Sequence, residues 1–508
     1  MDETFASLRE ALINGISPSE SLPANAPYAT SYAGMRPSEG GAESLYPVSF
    51  PLVGYVQTGH THLMRGSSRT LLYEFDLQAH LYDTAAPLID LLVGAKSAND
   101  NLTPATLTET GRPCFVEKDG RWFITTGEAL ITNAGLFSGW TVADSADRPI
   151  PSSLCLYEED RLLMTGFSDS AYFSSSFWLK AWTVWKANSP VAKGIDDSET
   201  MSAAYVFYGM PKLGGKDLFS LELALFTGYC SAEFETKVLA AIREGWMGFI
   251  KLPWKGTALS ILSTQDGAFV YGTDGIGFLS FTEGVPRIDQ LFPVGVKSRN
   301  SVAGHFLYQG GVLTDGNLFQ TDGKTIRPIG YEYLFRNFTP TVSVDELRSD
   351  LYINTGTLCY ILTPKPALCV GLFDVTSLYN SNGLLYGSFT QQRVTAFTFR
   401  SWTLSFKRRA KKMLQLIQLE QEGLSALSSV VEYRHSSGGA FGTGHTIVYN
   451  PEGIVTPRVF ASDLRVVLTG TPTLKPSNSQ VNNLTVHWRT TDKRFIHGLS
   501  ENTGQELL

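Results

Sequence analysis

A chain of 508 residues is long enough for two or three domains with sizeable buried cores. Its apolar fraction of 43% and charged fraction of 18% exclude a disordered chain. A net charge of −7 excludes a protein whose main task is to grip nucleic acid, which needs a surplus of Lys and Arg on one face, although it suits a wall past which DNA slides.

The opening MDETFASLREALIN begins acidic and carries no apolar h-region, so no secretory leader is expected. No run approaches the roughly 18 apolar residues that span a bilayer. Cys114, Cys155, Cys230, Cys359 and Cys369 form no CxxC, which points away from zinc and redox motifs and toward thiols buried in a reducing cytoplasm. Without a leader, the N-x-Ser/Thr triplets at Asn101, Asn337 and Asn483 carry no weight.

Residues 5–14 place Phe5, Leu8 and Leu12 on one stripe, which predicts a short amphipathic helix. From Gly15 to about Pro51 the text is rich in Pro, Ser, Gly and Ala, as in a linker or an arm that wraps a neighbour. Strand signals then dominate. The segments 115–125, 154–166, 259–275, 305–329 and 377–389 each carry an apolar run, a tight polar turn and a second run. Most of those turns supply the φ > 0 residues that two-residue hairpins need. Their spacing is irregular, yet several gaps are close to, or about a multiple of, the roughly 40–50 residues of a propeller blade. Many short hairpins of similar weight suit a β-propeller, which hides its strand edges by closing a ring. Two helices interrupt the pattern: 231–246, with Phe234, Val238, Ala241 and Ile242 on one face, and 331–338. Beyond about Arg400 the strands lengthen. Leu464, Val466 and Leu468 alternate with Asp463 and Arg465, and Leu484, Val486 and Trp488 repeat the period, as in a β-sandwich.

Each motif that imitates chemistry has a blander reading. GAFGTGHT (439–446) copies a P-loop, but His445 replaces the lysine and no helix follows, so a turn or flexible loop is expected. His60 and His62 would share a strand face, but no third ligand lies nearby, and they read as a surface or interface pair. Asp196, Asp197 and Glu199 read as a solvated loop rather than paired acid–base carboxylates. The basic run Lys407, Arg408, Arg409, Lys411 and Lys412 reads as a strand end or subunit-facing patch rather than a nucleic-acid footprint. Phe173, Phe177, Trp178, Trp182 and Trp185 read as core or subunit-interface packing rather than a stacking platform for sugars or bases.

The stretch 294–362 (VGVKSRNSVAGHFLYQGG through TLCYIL) resembles a blade of the tail hub, or nozzle, proteins of short-tailed double-stranded DNA bacteriophages. That group includes the packaged-DNA stabilisation proteins and the larger tail tubular B proteins. The features that carry the likeness are Gly295 and Gly304 in the strand lead-in, a strand ending at Arg327-Pro328-Ile329, a short helix with Leu334, Phe335 and Arg336, and a new strand after Asp350. The ending NNLTVHWRTTDKRF (482–495) is similar to the family's outer β-domain, and 17–41 to its extended arm. The long insertions of the tubular B proteins are absent.

The resemblance implies an all-β chain: a β-propeller with an additional β-sandwich-like domain built from the C-terminal region and an extended N-terminal arm. The expected boundaries are 1–100 for arm and platform segment, 101–399 for the propeller and 400–508 for the β-sandwich-like domain. It implies a non-enzymatic virion protein, assembled in the host cytoplasm as a homohexamer below portal and adaptor, that forms the DNA exit channel and helps retain packaged DNA. Implied partners are the head-to-tail adaptor, tail fibre, spike or needle proteins, and genomic DNA in transit. No cofactor, metal or membrane insertion is implied. Channel-facing candidates are Asp196, Asp197, Glu199, Asp315 and Asp322, because acidic walls repel phosphate; interface candidates are Lys407, Arg408, Arg409, Lys411 and Lys412. The alternatives are a carbohydrate-binding or carbohydrate-cleaving propeller, as in a tail-associated depolymerase, and a cytoplasmic scaffold propeller.

Overall fold

The computed structural model describes residues 3–58, 60–76, 78–85, 89–93, 95–97, 112–133, 139–144, 149–158, 161–168, 176–209, 232–405, 412–435 and 439–490. The chain divides into two compact units, one of 47–366 with 373–393, the other of 1–46, 367–372 and 394–508.

The first unit is a ring of antiparallel sheets. Six follow in chain order, and their first strands, Cys114–Lys118, Ser153–Tyr157, Ala258–Ser263, Val302–His305, Thr341–Asp345 and Phe373–Ser381, lie side by side. Each sheet is named here by the residue that opens it. A further three-stranded sheet (Thr61–Arg65, Thr70–Asp76, Gln78–Asp83) joins the last to the first. Its Thr61 strand lies beside Phe373–Ser381, while Met64, Leu71 and Tyr73 share a core with Trp122, Ile124 and Ile131 of the Cys114 sheet. A circle of sheets with no open edge strand at its centre is a β-propeller. The strand Val48–Ser49 pairs in parallel with Leu384–Gln392, so the start of the unit is stitched to its end.

The hairpins form where the turn chemistry asks for them. Asp119-Gly120 and Asn382-Gly383 both take positive φ, the conformation that lets a two-residue turn match strand twist. Neighbouring sheets are then sealed by short polar side chains reaching across to backbone. Ser152 Oγ donates to the Leu259 carbonyl (2.8 Å), and Ser153 Oγ accepts from the Ile261 amide (3.1 Å). Gln309 Nε2 donates to the Ser263 carbonyl (2.7 Å), Ser301 Oγ to that of Pro340 (3.1 Å), Asn354 Nδ2 to that of Val375 (2.9 Å) and Thr376 Oγ1 to that of Thr61 (2.9 Å). Such bonds satisfy carbonyls that the splayed sheets leave without a ladder partner. Helices Ser176–Asn188 and Ala232–Arg243 are both inserted in the Ser153 sheet, where Trp178, Trp182 and Trp185 meet Val238, Ala241, Ile242, Tyr205 and Phe249 in one core. The tryptophans are therefore core residues; Phe173 lies outside the described residues, and so does the side chain of Phe234.

The second unit draws its sheets from both ends of the chain. One contains Glu3–Ser7, Met35–Ser38, Gly41–Ser44, Lys412–Glu422 and Gln480–Thr490; the other contains Ala29–Ala33, Leu368–Val370, Phe397–Ser401, Ser425–Arg434, Gly442–Ile447 and Asp463–Thr471. The chain passes back and forth between them through its last third, which makes the unit sandwich-like. Leu464, Val466 and Leu468, and Leu484, Val486 and Trp488, are buried as their alternation required.

Four expectations are corrected. The ring begins at Pro47 rather than 101, because Leu63, Leu71, Leu72 and Leu81 belong to its sheets. The segment after Gly15 is no wrapping arm: Tyr32, Met35 and Ala42 are buried in the second unit's own core. Residues 3–7 are a strand paired with Thr485–Arg489, so Phe5 is exposed, and only Arg9–Asn14 is helical. The P-loop imitation includes a strand, Gly442–Ile447, where a Cβ on Gly444 would stand 1.7 Å from the Val431 carbonyl oxygen. Only glycine permits that approach.

Candidate functional site

In an antiparallel sheet the turns alternate between ends. The strand starts and the connection between second and third strands therefore share one rim of the ring, and the turns after the first and third strands share the other.

Asp196, Asp197 and Glu199 follow helix Ser176–Asn188 between the second and third strands of the Ser153 sheet, on the first rim. Asp196 accepts from the Ser198 amide (2.8 Å) and hydroxyl (2.7 Å), and these bonds hold its carboxyl below the usual carboxylate range. Asp197 is fully exposed, with Lys186 Nζ at 3.9 Å. Burial would raise Glu199, but Lys251 at 2.6 Å outweighs it and lowers its pKa. Asp315, in the turn before Leu318–Thr321, reaches the same rim, and its carboxylate caps the Asn317 amide (2.8 Å). Asp322 turns the chain at the opposite end of the same sheet, where the Thr325 hydroxyl (2.7 Å) and amide (3.0 Å) lower its pKa. One rim thus collects four of the five carboxylates and cannot hold the fifth. Lys407, Arg408, Arg409 and Lys411 lie outside the described residues; Lys412 opens strand Lys412–Glu422, and its side chain is not described.

The second rim carries exposed apolar side chains beside its own charges. Phe306 and Leu307, 56% and 67% exposed, form the turn after Val302–His305, and with Tyr157, Glu158, Thr264 and Gln265 they border an open cleft of about 270 Å³. Among the described residues Glu158 is the one carboxylate that borders it.

The residues that sequence reasoning missed lie on the ring's axis at the first rim. Arg112 precedes the Cys114 strand and donates through Nη1 to the Val342 carbonyl (2.7 Å) and Ser343 Oγ (2.9 Å), both on the Thr341 strand across the ring. Arg299 precedes the Val302 strand and donates to the carbonyls of Ser152 (3.0 Å) and Arg112 (2.8 Å). The two guanidiniums bridge strands that are not neighbours and so span the bore. Burial lowers both pKa values, yet Arg remains charged. Beside them His62 is 5% exposed, and burial, then Arg112, His60 and Arg299, lower its pKa to about 3. His60 is exposed, so the two histidines are neither a surface pair nor joint ligands. Among the described residues no group of three or more His, Cys, Asp or Glu is placed to hold a metal. The only local signal for this cluster is an arginine just before the first strand of two sheets, and nothing short-range says that they meet.

No family model and no curated protein matches the chain. Among solved structures it is similar to BamB from Moraxella catarrhalis (9% identity, TM-score 0.33, covering 65% of this chain and 80% of that one). It is also similar to AztD from Citrobacter koseri (7%, 0.28, 66% and 75%) and to YCF48 bound to D1 peptide (8%, 0.29, 64% and 93%).

Proposed function

We propose that the chain is a non-enzymatic structural subunit of a short phage tail, a hub or nozzle protomer that assembles as a hexamer below portal and adaptor around the DNA exit path. The observation that carries this reading is the folding of 294–362, the stretch on which the resemblance rests. It makes the complete Val302 sheet, the helical turn Glu332–Phe335 and the first three strands of the Thr341 sheet, in the order the resemblance implies. Lys297 ties the parts together, its ammonium donating to the carbonyls of Phe335 (2.7 Å), Arg336 (2.6 Å) and Phe338 (2.8 Å) and so capping the helical turn.

Assembly has further support in Val53 and Val56, two fully or largely exposed aliphatic side chains in one short segment (104% and 83%), which a neighbouring subunit would cover. The first rim, with Asp196, Asp197, Glu199 and Asp315, is the one we assign to the channel. A mobile duplex meets fixed like charge there and is repelled rather than trapped. Adaptor and fibre or needle proteins dock elsewhere on the protomer. Co-expression with the products of neighbouring genes, followed by electron microscopy, tests the reading: a six-fold ring with that rim lining its lumen supports it. A lumen lined by 407–412, or cleavage of a host polysaccharide abolished by one carboxylate substitution, overturns it.

A further inference from the structure

We infer that one face of the second unit, built on strands Phe397–Ser401, Ser425–Arg434 and Asp463–Thr471, docks a partner protein by taking an Asp or Glu carboxylate into the fork of Arg465. The inference does not rest on the tail reading.

The three strands pair side by side, with Arg465 opposite Glu432, Asp463 opposite Arg434 and Arg400 opposite Val467. Strand alternation puts these side chains on the face turned away from Leu464, Val466 and Leu468. Three guanidiniums thus share a face with two carboxylates, and both carboxylates are already committed. Glu432 pairs with Arg400 at 2.9 Å, and Asp463 pairs with Arg434 at 2.6 Å. Among the described residues Arg465 has no carboxylate within ion-pairing distance, so it is the cation left over.

Arg465 is oriented without being neutralised. Its guanidinium lies 4.1 Å over the Phe441 ring, which it shares with Arg434 at 4.8 Å, and its Nε donates to Thr403 Oγ1 (3.1 Å). These contacts fix the plane of the fork and use one of its five N–H groups. The residue is half-buried, but neither terminal nitrogen is sealed from solvent, and neither has a partner among the described residues. A planar cation held with its terminal N–H groups free matches a carboxylate through two parallel bonds. Glu432, directly across from Arg465, disfavours a phosphate backbone with its repeated charges, whereas one carboxylate meets the single uncompensated cation. An arginine braced on an aromatic ring is also the pairing that anchors protein–protein interfaces.

Panning a random heptapeptide display library against the full chain, then measuring the selected peptides by fluorescence anisotropy, tests the surface. Those peptides should carry Asp or Glu at one fixed position, and Arg465→Gln should weaken them about tenfold or more, the loss of a charge-assisted pair. Arg465→Lys keeps the charge without the fork and should recover only part of the affinity. Phe441→Leu leaves every charge in place but frees the plane, and it should also weaken the peptides. Should the Gln variant fail to fold, these two variants carry the test. A selection that yields no binders, peptides with no fixed acidic position, or acidic peptides that bind wild type and Arg465→Gln alike overturn the inference. So does displacement of the peptides by duplex DNA or by acetate at equal charge concentration, which would assign the fork to phosphate or to small carboxylates.

Discussion

His62 gives the sharpest test of how the axis of the ring is built. Its pKa is lowered to about 3 by burial and by the charges of Arg112, His60 and Arg299, against about 6.5 in an unfolded chain. A folded-state pKa below the unfolded one means that the unfolded chain takes up the proton first. The stability contribution is therefore complete above pH 6.5 and is lost progressively as pH falls from there toward 3. At pH 5 the unfolded histidine is almost fully protonated and the folded one neutral, which costs about 2 kcal/mol relative to pH 7.5. Replacing His62 with Gln removes the titrating group while keeping a polar side chain of similar size. Denaturant unfolding at both pH values, wild type against variant, should show the wild type losing about 2 kcal/mol more than the variant. Hydrogen exchange of a peptide covering strand Thr61–Arg65 should show the same difference locally. Equal losses in the two proteins would refute the burial and charge argument for this histidine.

Trp182→Ala should cost about 3–5 kcal/mol, read by denaturant unfolding, because the indole is 5% exposed against Trp185, Tyr205 and Phe249. Asp463→Ala should destabilise the second unit by about 3–5 kcal/mol, since it leaves Arg434, bonded at 2.6 Å, without its buried partner; the same assay applies. Gly444→Ala should raise exchange across Ser425–Arg434, because the added methyl collides with the Val431 carbonyl; unchanged protection there would contradict the assigned register. Arg112→Met should raise exchange in strand Thr341–Asp345, which it holds from across the ring, before affecting the Ala258 sheet.

The ring was legible in the sequence because hairpins are local. Asp-Gly and Asn-Gly between alternating runs at 115–125 and 377–389 dictate turn type and register within a dozen residues. Helix Ala232–Arg243 was legible for the same reason, through the spacing of Val238, Ala241 and Ile242. The second unit was only half legible: periodicity marked its C-terminal strands, but the pairing of Glu3–Ser7 with Thr485–Arg489 joins segments that no local pattern links. Phe5 shows the cost, since its helical spacing with Leu8 and Leu12 is real and tertiary pairing overrides it. Asp463 was read as the polar side of an alternation, yet it is buried because Arg434 neutralises it, a partnership invisible until the strands are paired. The carboxylates at 196, 197, 199, 315 and 322 were found by composition alone, and only strand order could divide them between two rims. The axial arginines were missed because three of their four acceptors are backbone carbonyls, which leave no mark in a sequence.

The claim that this chain is a tail ring subunit stands or falls on copy number in the assembled tail. Native mass measurement of the complex formed with its neighbouring gene products should give six copies; three, twelve or a persistent monomer would contradict it.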